Sequence, residues 1–371
     1  MLIGVPKEIK NHEYRVGLTP AGVKELKRNG HDVLVQTNAG TAIGFPDEQY
    51  IEAGAQIVTA AEEIFKRADM IIKVKEPQPV ECAMLRAGQI LYTYLHLAPD
   101  PEQTAALVKS GCVAIAYETV TDGRGGLPLL APMSEVAGRM AIQAAARALE
   151  KSAGGSGVLL GGVPGVAPGH VTVIGGGVVG THAARMAAGL GADVTLLDRS
   201  LPRLKEIDEA FGGRIKTLYS TQDAIENELK VADAVIGAVL IPGAAAPKLV
   251  TKDMLKLMKP GSVLVDVAID QGGCFETSRA TTHQEPTYVV DGVTHYCVAN
   301  MPGGVARTST MALTNATLVH AVAIANKGWK KALKDDIHLR NGLNVCEGKV
   351  TYAAVARDLA YEYVSADSVL N

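Results

Sequence analysis

The chain has 371 residues, 47% of them hydrophobic and 20% charged, with a formal net charge of −3. Its length exceeds one ordinary core and predicts two domains, and its composition is that of a folded globular chain. The near-balanced charge and the few aromatics (4%) give no electrostatic or stacking basis for binding nucleic acid or an anionic membrane.

The opening segment places Pro6, Lys7 and Glu8 where a secretory leader needs an apolar core, so a cytoplasmic protein is expected. Apolar runs at 2–5, 32–35, 70–74, 90–94 and 113–117 read as strands. Between the first two, Thr19 can cap a helix that has Pro20 at its first position and Gly30 past its end. A second series of strands follows at 171–174, 194–197, 234–238, 263–267 and 295–298, with helical stretches such as 183–190 and 252–258 between them. Strand then helix, repeated, predicts mostly parallel sheets covered on both faces.

Two long helices, at about 134–151 and 308–325, bracket the second series. The fold class expected is therefore α/β, with two doubly wound parallel-sheet (Rossmann-like) domains. A nucleotide domain, 131–304, is inserted into a substrate domain made of 1–130 and 305–371. The stretch 158–180 lacks Asp, Glu, Lys and Arg, but its many glycines with Pro164 and Pro168 make it loop, strand and turn rather than a membrane helix. The cysteines Cys82, Cys112, Cys274, Cys297 and Cys346 form no Cys-x-x-Cys pair and read as reduced thiols.

The segment His170-Val-Thr-Val-Ile-Gly-Gly-Gly-Val-Val-Gly180 holds a Gly-x-Gly-x-x-Gly turn. Such a turn is weak evidence alone. Here a β-branched strand precedes it, a helix follows, and the next strand ends at Asp198, close to the ~20-residue spacing of a dinucleotide site. Gly175 permits the tight turn, Gly177 opens the backbone to a pyrophosphate, and Gly180 lets helix and strand approach. The helix N-terminus favours the negative charge. Asp198 can accept from ribose hydroxyls and repel a 2′-phosphate, which favours NAD over NADP. Arg199 and Arg203 leave the opposite preference open, because either can bind a phosphate.

A dehydrogenase for a small acid needs cations for the carboxylate and a group that moves a proton. The polar segment from Lys7 to Arg15 follows the first strand, Lys75 ends the third, and His96 follows the fourth. All three positions fall at C-terminal strand ends, where ligands bind in open α/β sheets. Asp270 follows a strand of the second series and is equally a turn residue or a site residue.

Along essentially its whole length the sequence resembles the bacterial L-alanine dehydrogenases. The segments that carry the resemblance include Pro6-Lys-Glu-Ile-Lys-Asn11, Arg15-Val-Gly-Leu-Thr-Pro20, Lys73-Val-Lys-Glu-Pro77 and Leu95-His-Leu-Ala98. Others are Ala131-Pro-Met-Ser-Glu-Val-Ala-Gly-Arg139, Gly161-Gly-Val-Pro-Gly165, Asp266-Val-Ala-Ile-Asp-Gln-Gly-Gly273 and Cys297-Val-Ala-Asn-Met-Pro302. The resemblance implies reversible, NAD-dependent oxidative deamination of L-alanine to pyruvate and ammonia. It implies that Arg15 and Lys75 bind the substrate and that His96 and Asp270 are the acid/base pair. It implies cofactor contacts from Ser134, Gly175, Gly177, Val178, Val179, Gly180, Asp198, Arg203, Ser220, Val239 and Leu240. Further contacts would come from Val267, Ala268, Ile269, Asp270, Val298, Ala299, Asn300 and Met301. It also implies a homohexamer. Some members hold a divalent metal on the late helix, but Ala323 and Lys327 occupy the corresponding positions, so no metal site is expected. The competing readings are the NAD-binding subunit of a proton-translocating transhydrogenase and a non-catalytic NAD-binding regulatory protein. Neither needs an acid/base set.

Overall fold

A computed structural model describes residues 1–239 and 247–370. The chain divides into two compact units, one formed by Met1–Met133 with Val305–Asn371 and the other by Ser134–Gly304.

In the first unit, β1 (Leu2–Val5), β2 (Asp32–Gln36), β3 (Gln56–Val58), β4 (Met70–Ile72), β5 (Ile90–Thr93) and β6 (Val113–Ala116) alternate with helices. The second unit contributes β7 (His170–Ile174), β8 (Asp193–Asp198), β9 (Lys216–Tyr219), β10 (Ala234–Gly237), β11 (Val263–Asp266), β12 (Thr287–Val290) and β13 (Val293–Tyr296). The chain then returns to the first unit with β14 (Leu343–Cys346) and β15 (Lys349–Val350).

The two sheets share one winding. The first has the order β15-β14-β6-β5-β4-β1-β2-β3 and the second β12-β13-β11-β10-β7-β8-β9. Each contains six parallel strands in the doubly wound order, reversing beside its first strand, between β1 and β4 or between β7 and β10. Antiparallel strands are confined to one edge of each sheet: β14 and β15 in the first, β12 in the second. A crevice at the strand C-termini beside such a reversal is where an open α/β sheet binds ligands.

Period-two alternation builds the core of the second unit. Val171, Val173, Leu196, Ile236 and Val265 pack with Ala141, Ile142 and Ala145 of the Ala131–Ala148 helix. Their neighbours Ile174, Leu197, Val235 and Leu264 pack in a different cluster, with Ile225, Leu229 and Phe275. Strands buried on both faces read as continuous apolar runs, which is why these were visible in the sequence. In the first unit, Thr19 caps the Pro20–Arg28 helix by accepting from Gly22 N at 3.2 Å, as its position before Pro20 predicts.

Some expectations shift. The second unit's late strand is Val293–Tyr296 rather than 295–298, because it pairs with both β11 and the unforeseen β12. The stretch 252–258 forms a 3₁₀ turn, Asp253–Leu257, rather than an α-helix. The bracketing helices are Ala131–Ala148 and Ala306–Lys327.

Candidate active site

In the first unit, the segment after β1 supplies Arg15. Its guanidinium is buried and clamped by Glu13: Nε donates to Oε1 at 2.7 Å and Nη2 to Oε2 at 2.6 Å. Nη1 lies 3.2 Å from the thioether sulfur of Met133. Burial works to lower the Arg15 pKa, but the hydrogen bonds and charge of Glu13 outweigh it and raise the value. The cation is thus fixed in direction before any ligand arrives, which suits a planar carboxylate.

Lys75 follows β4. Its Nζ is 3.2 Å from Glu76 Oε2, and Lys10 also contacts the Glu76 carboxylate. Burial would raise the Glu76 carboxyl, but Lys75 and Lys10 bring it down to about 2. The backbone of Lys75 is held on two sides. Its N–H approaches Glu8 Oε1 at 3.4 Å, and its carbonyl accepts from Thr93 Oγ1 at 3.0 Å. Glu8 in turn accepts from Val74 N at 2.7 Å and pairs with the fully buried Lys73 at 3.0 Å.

His96 lies just past β5 with φ 48°, in the left-handed region that non-glycine residues rarely occupy. Its ring stacks on Tyr94, with centroids 5.8 Å apart and planes 10° from parallel. Tyr94 donates its hydroxyl to Leu129 O at 2.6 Å, and burial pushes its pKa up, so it remains a neutral donor. Glu118, just past β6, accepts from His96 N at 2.6 Å and Leu95 N at 3.1 Å. Arg15, Lys75 and His96 therefore follow three strands of one sheet at the same edge, in line with the positional rule.

The second unit has the matching edge. Gly175 adopts φ 108°, and a Cβ there would lie 2.7 Å from Ala238 O. A Cβ on Gly180 would lie 1.8 Å from Gly175 O, so only glycine lets the Val178–Gly189 helix start this close to β7. A Cβ on Gly177 would meet nothing within 4 Å. The turn is therefore closed on the protein side and open toward the space before the helix N-terminus, which fits a pyrophosphate.

Asp198 ends β8. Its Oδ2 accepts from Gly176 N at 2.6 Å and its Oδ1 from Ser200 N at 2.7 Å. Arg203 donates from Nε to Gly176 O at 2.7 Å and from Nη2 to Thr181 Oγ1 at 2.8 Å, and pairs with Glu206 at 2.5 Å. Both side chains fasten the turn they were expected to serve. Ser220 follows β9 and is buried, with its N–H on Asp198 O at 3.0 Å. Val239 follows β10 and is half-buried; Leu240 lies outside the described residues. Ser134 is half-buried in the Ala131–Ala148 helix, and Val178 and Val179 open the helix after the turn.

Val267, Ala268, Ile269 and Asp270 form a 3₁₀ turn, Val267–Gln271, directly after β11, and Asp270 is exposed. The anchor of this turn is Asp266. It is fully buried and accepts from Ala268 N at 3.1 Å, Cys274 N at 2.8 Å and Ser278 Oγ at 2.5 Å. Burial raises its pKa against those donors. Val298, Ala299, Asn300 and Met301 follow β13; Asn300 has φ 62°, and its carbonyl lies 3.1 Å from His283 Nε2.

Three acidic residues at the edge of the first unit were not singled out for roles in the sequence: Glu8, Glu13 and Glu118. Nothing in the sequence marks them, since a carboxylate in a loop reads as solvated surface until its partners are placed. Among the described residues no group of three or more His, Cys, Asp or Glu could hold a metal ion, and no helix is long and apolar enough to cross a membrane.

Two Rossmann-like units, one bearing a complete dinucleotide turn, define the class as an α/β dinucleotide-binding protein. The family profile described as alanine dehydrogenase/PNT, N-terminal domain, matches residues 4–137, and that of the C-terminal domain matches residues 141–353. An alanine dehydrogenase of Halomonas elongata is 64% identical over 370 residues, covering 100% of both chains. One of Bacillus subtilis is 60% identical, covering 100% of this chain and 98% of its own. A solved L-alanine dehydrogenase superposes with a TM-score of 0.94 at 51% identity, covering 97% of this chain and 99% of that one. A transhydrogenase structure from Sinorhizobium meliloti gives 0.80 at 27% identity, covering 95% of this chain and 100% of that one. The chain belongs to the alanine dehydrogenase/PNT family.

Proposed function

We propose that the protein catalyses the reversible, NAD-dependent oxidative deamination of L-alanine to pyruvate and ammonia. The observation that carries this reading is end-to-end identity of 64% with an alanine dehydrogenase, against 27% with the transhydrogenase structure. The dinucleotide turn supports the cofactor. Gly175, Gly177 and Gly180 with Val178 and Val179 would hold the pyrophosphate, and Asp198 the adenosine ribose. Ser134, Arg203, Ser220, Val239, Leu240 and the segments 267–270 and 298–301 would line the rest. When bound, NAD accepts a hydride from the alanine α-carbon.

The chain's own residues do the remainder. Arg15, held by Glu13, grips the substrate carboxylate, and Lys75 supplies a second positive charge. Loss of hydride leaves a cationic imine on the substrate. Water adds to its carbon, and ammonia leaves through a carbinolamine. His96 takes and returns the proton on the oxygen, and Asp270 stabilises the cation and orients the water. The Met1–Met133 and Val305–Asn371 unit is thus the substrate unit, and Ser134–Gly304 the NAD unit.

The test is NADH formation from L-alanine and NAD, followed by absorbance; no alanine-dependent signal sinks the reading. His96→Ala and Asp270→Asn are each expected to lower turnover by ~10²–10⁴-fold, and near wild-type turnover would remove that residue from the pair. Comparison of alanine with glycine, serine and 2-aminobutyrate measures breadth, since one methylene is worth only about 1–3 kcal/mol. We further propose a cytoplasmic homohexamer. The family resemblance supports the assembly, and the five free, buried cysteines suit a reducing compartment. Light scattering checks the assembly by a mass of about six times the chain's 38.8 kDa.

A further inference from the structure

His96 carries a backbone conformation that needs a reason, and Glu118 supplies one. The two residues follow adjacent parallel strands, β5 and β6, whose register pairs Thr93 with Ala116. Glu118 sits in a one-turn 3₁₀ segment, Tyr117–Thr119, which aims its side chain across to the neighbouring strand end. Its Oε1 takes the amide of His96 at 2.6 Å and that of Leu95 at 3.1 Å, while Oε2 takes Leu95 N at 3.2 Å. These bonds bridge the point where the chain enters φ 48°. The same Oε1 lies 4.0 Å from His96 Nδ1. The Glu118 side chain is 14% exposed and that of His96 44%, so the carboxylate is the sheltered partner and the ring the accessible one.

This arrangement goes beyond a backbone cap. Tyr94 fixes the plane of the imidazole by stacking, and Glu118 places a negative charge on its Nδ1 side. A carboxylate there favours the tautomer with the proton on Nδ1. It leaves Nε2 as the atom that exchanges protons with substrate. We infer that Glu118 is the positioning residue of His96, setting both its backbone turn and the working nitrogen of its ring. This rests on the reading of His96 as the acid/base group.

Glu118→Gln separates the two tasks. The carbamoyl oxygen keeps an acceptor for the Leu95 and His96 amides, while the charge beside Nδ1 is lost. The expected result is a fall in kcat of roughly 10- to 100-fold, a share of the ~10²–10⁴-fold that a positioned acid/base group contributes. The KM for alanine should stay within about threefold, because Arg15 and Lys75 are untouched. In a His96→Ala background the same substitution should change the residual rate by less than about threefold, since a residue that acts through His96 has nothing left to act through. A Glu118→Gln enzyme with wild-type kcat overturns the inference. So does an equal loss in both backgrounds, which would mark a merely structural role. If His96→Ala itself turns over at the wild-type rate, the acid/base reading falls, and the inference falls with it. A dead His96→Ala beside a fully active Glu118→Gln removes the inference alone.

Discussion

Lys73 is 0% exposed, and its ammonium sits 3.0 Å from Glu8 and 2.7 Å from Glu81. Burial alone would lower its pKa, but the two carboxylates outweigh that and raise it, so the charge is kept. The group ties three segments together. Glu8 comes from the loop after β1, Lys73 follows β4, and Glu81 belongs to the Pro79–Cys82 turn, where it also caps Gln78 N at 2.8 Å. Removing one partner of a buried ionic group strands the others, at a cost of about 3–5 kcal/mol. Lys73→Met is therefore expected to destabilise the protein by about that amount, read as a drop in the urea midpoint. It should also raise the KM for alanine, because Glu8 holds the backbone of Val74 and Lys75. A loss below about 1 kcal/mol, within the range of an exposed ion pair, would show that water reaches the carboxylates once the lysine is gone. Legibility divides sharply at this scale. Arg15, Lys75 and His96 could be picked out as candidates because a cation or imidazole at a strand end suggests a ligand. Glu8, Glu13 and Glu118 could not, since a loop carboxylate reads as solvated surface until its partners are placed. Lys73 lies inside the stretch 70–74 read as a strand, but a lysine there gave no sign of the two carboxylates that let it be buried.

At the level of elements, a second polar cluster joins the N-terminal ends of β7 and β8 to the Gln222–Val231 helix. His170 Nε2 lies 2.7 Å from Glu228 and its Nδ1 3.1 Å from Asp193, which also pairs with Lys216. The hydrogen bond with Glu228 is the main influence raising the His170 pKa, burial opposes it, and Asp193 adds to the rise. For Glu228 burial pushes up, but His170 outweighs it and the pKa falls. The signs give a window. The histidine's contribution is complete below its unfolded value of about 6.5 and is lost as pH rises through the higher folded value. The glutamate's is present above its unfolded value and lost as pH falls through the lower folded one. The cluster's contribution to stability should therefore decline as pH rises from about 6.5 through the histidine's higher folded value, and His170→Gln should remove that component of the pH dependence. Urea midpoints at several pH values measure it, and parallel slopes in both proteins would rule the cluster out as the source. The strands of this unit were readable because β7, β8, β10 and β11 are apolar runs buried on both faces. Strand β9 was not, because three of its four residues are exposed. The two-residue shift of β13 arose because the apolar run Tyr296-Cys297-Val298 continues past the strand end into the loop. Pattern marks burial there, not hydrogen-bonding register.

Over the whole molecule, the winding that repeats in both sheets gives two ligand-binding edges, and only the second carries a glycine turn. NADH binding to that turn should appear as stabilisation of the folded chain. At one hundred times its Kd, a ligand that binds only the native state adds about 2.7 kcal/mol. For a unit of this size that is a rise of about 5–11 °C in melting midpoint, at roughly 2–4 °C per kcal/mol. NADPH at the same concentration should raise it far less. Its 2′-phosphate would approach the Asp198 carboxylate, and Arg203, one candidate to neutralise it, already donates to Gly176 O, Thr181 and Glu206. Asp198→Asn tests the cause. The carboxamide oxygen keeps one of the two backbone bonds to Gly176 and Ser200, so the turn is only partly loosened, while the repulsion is removed. The NADH shift should shrink and the NADPH shift grow, narrowing the gap from both sides. Equal shifts with the two nucleotides in the unaltered protein would instead mean that a cation such as Arg199 reaches the phosphate, and that Asp198 serves chiefly to brace the turn.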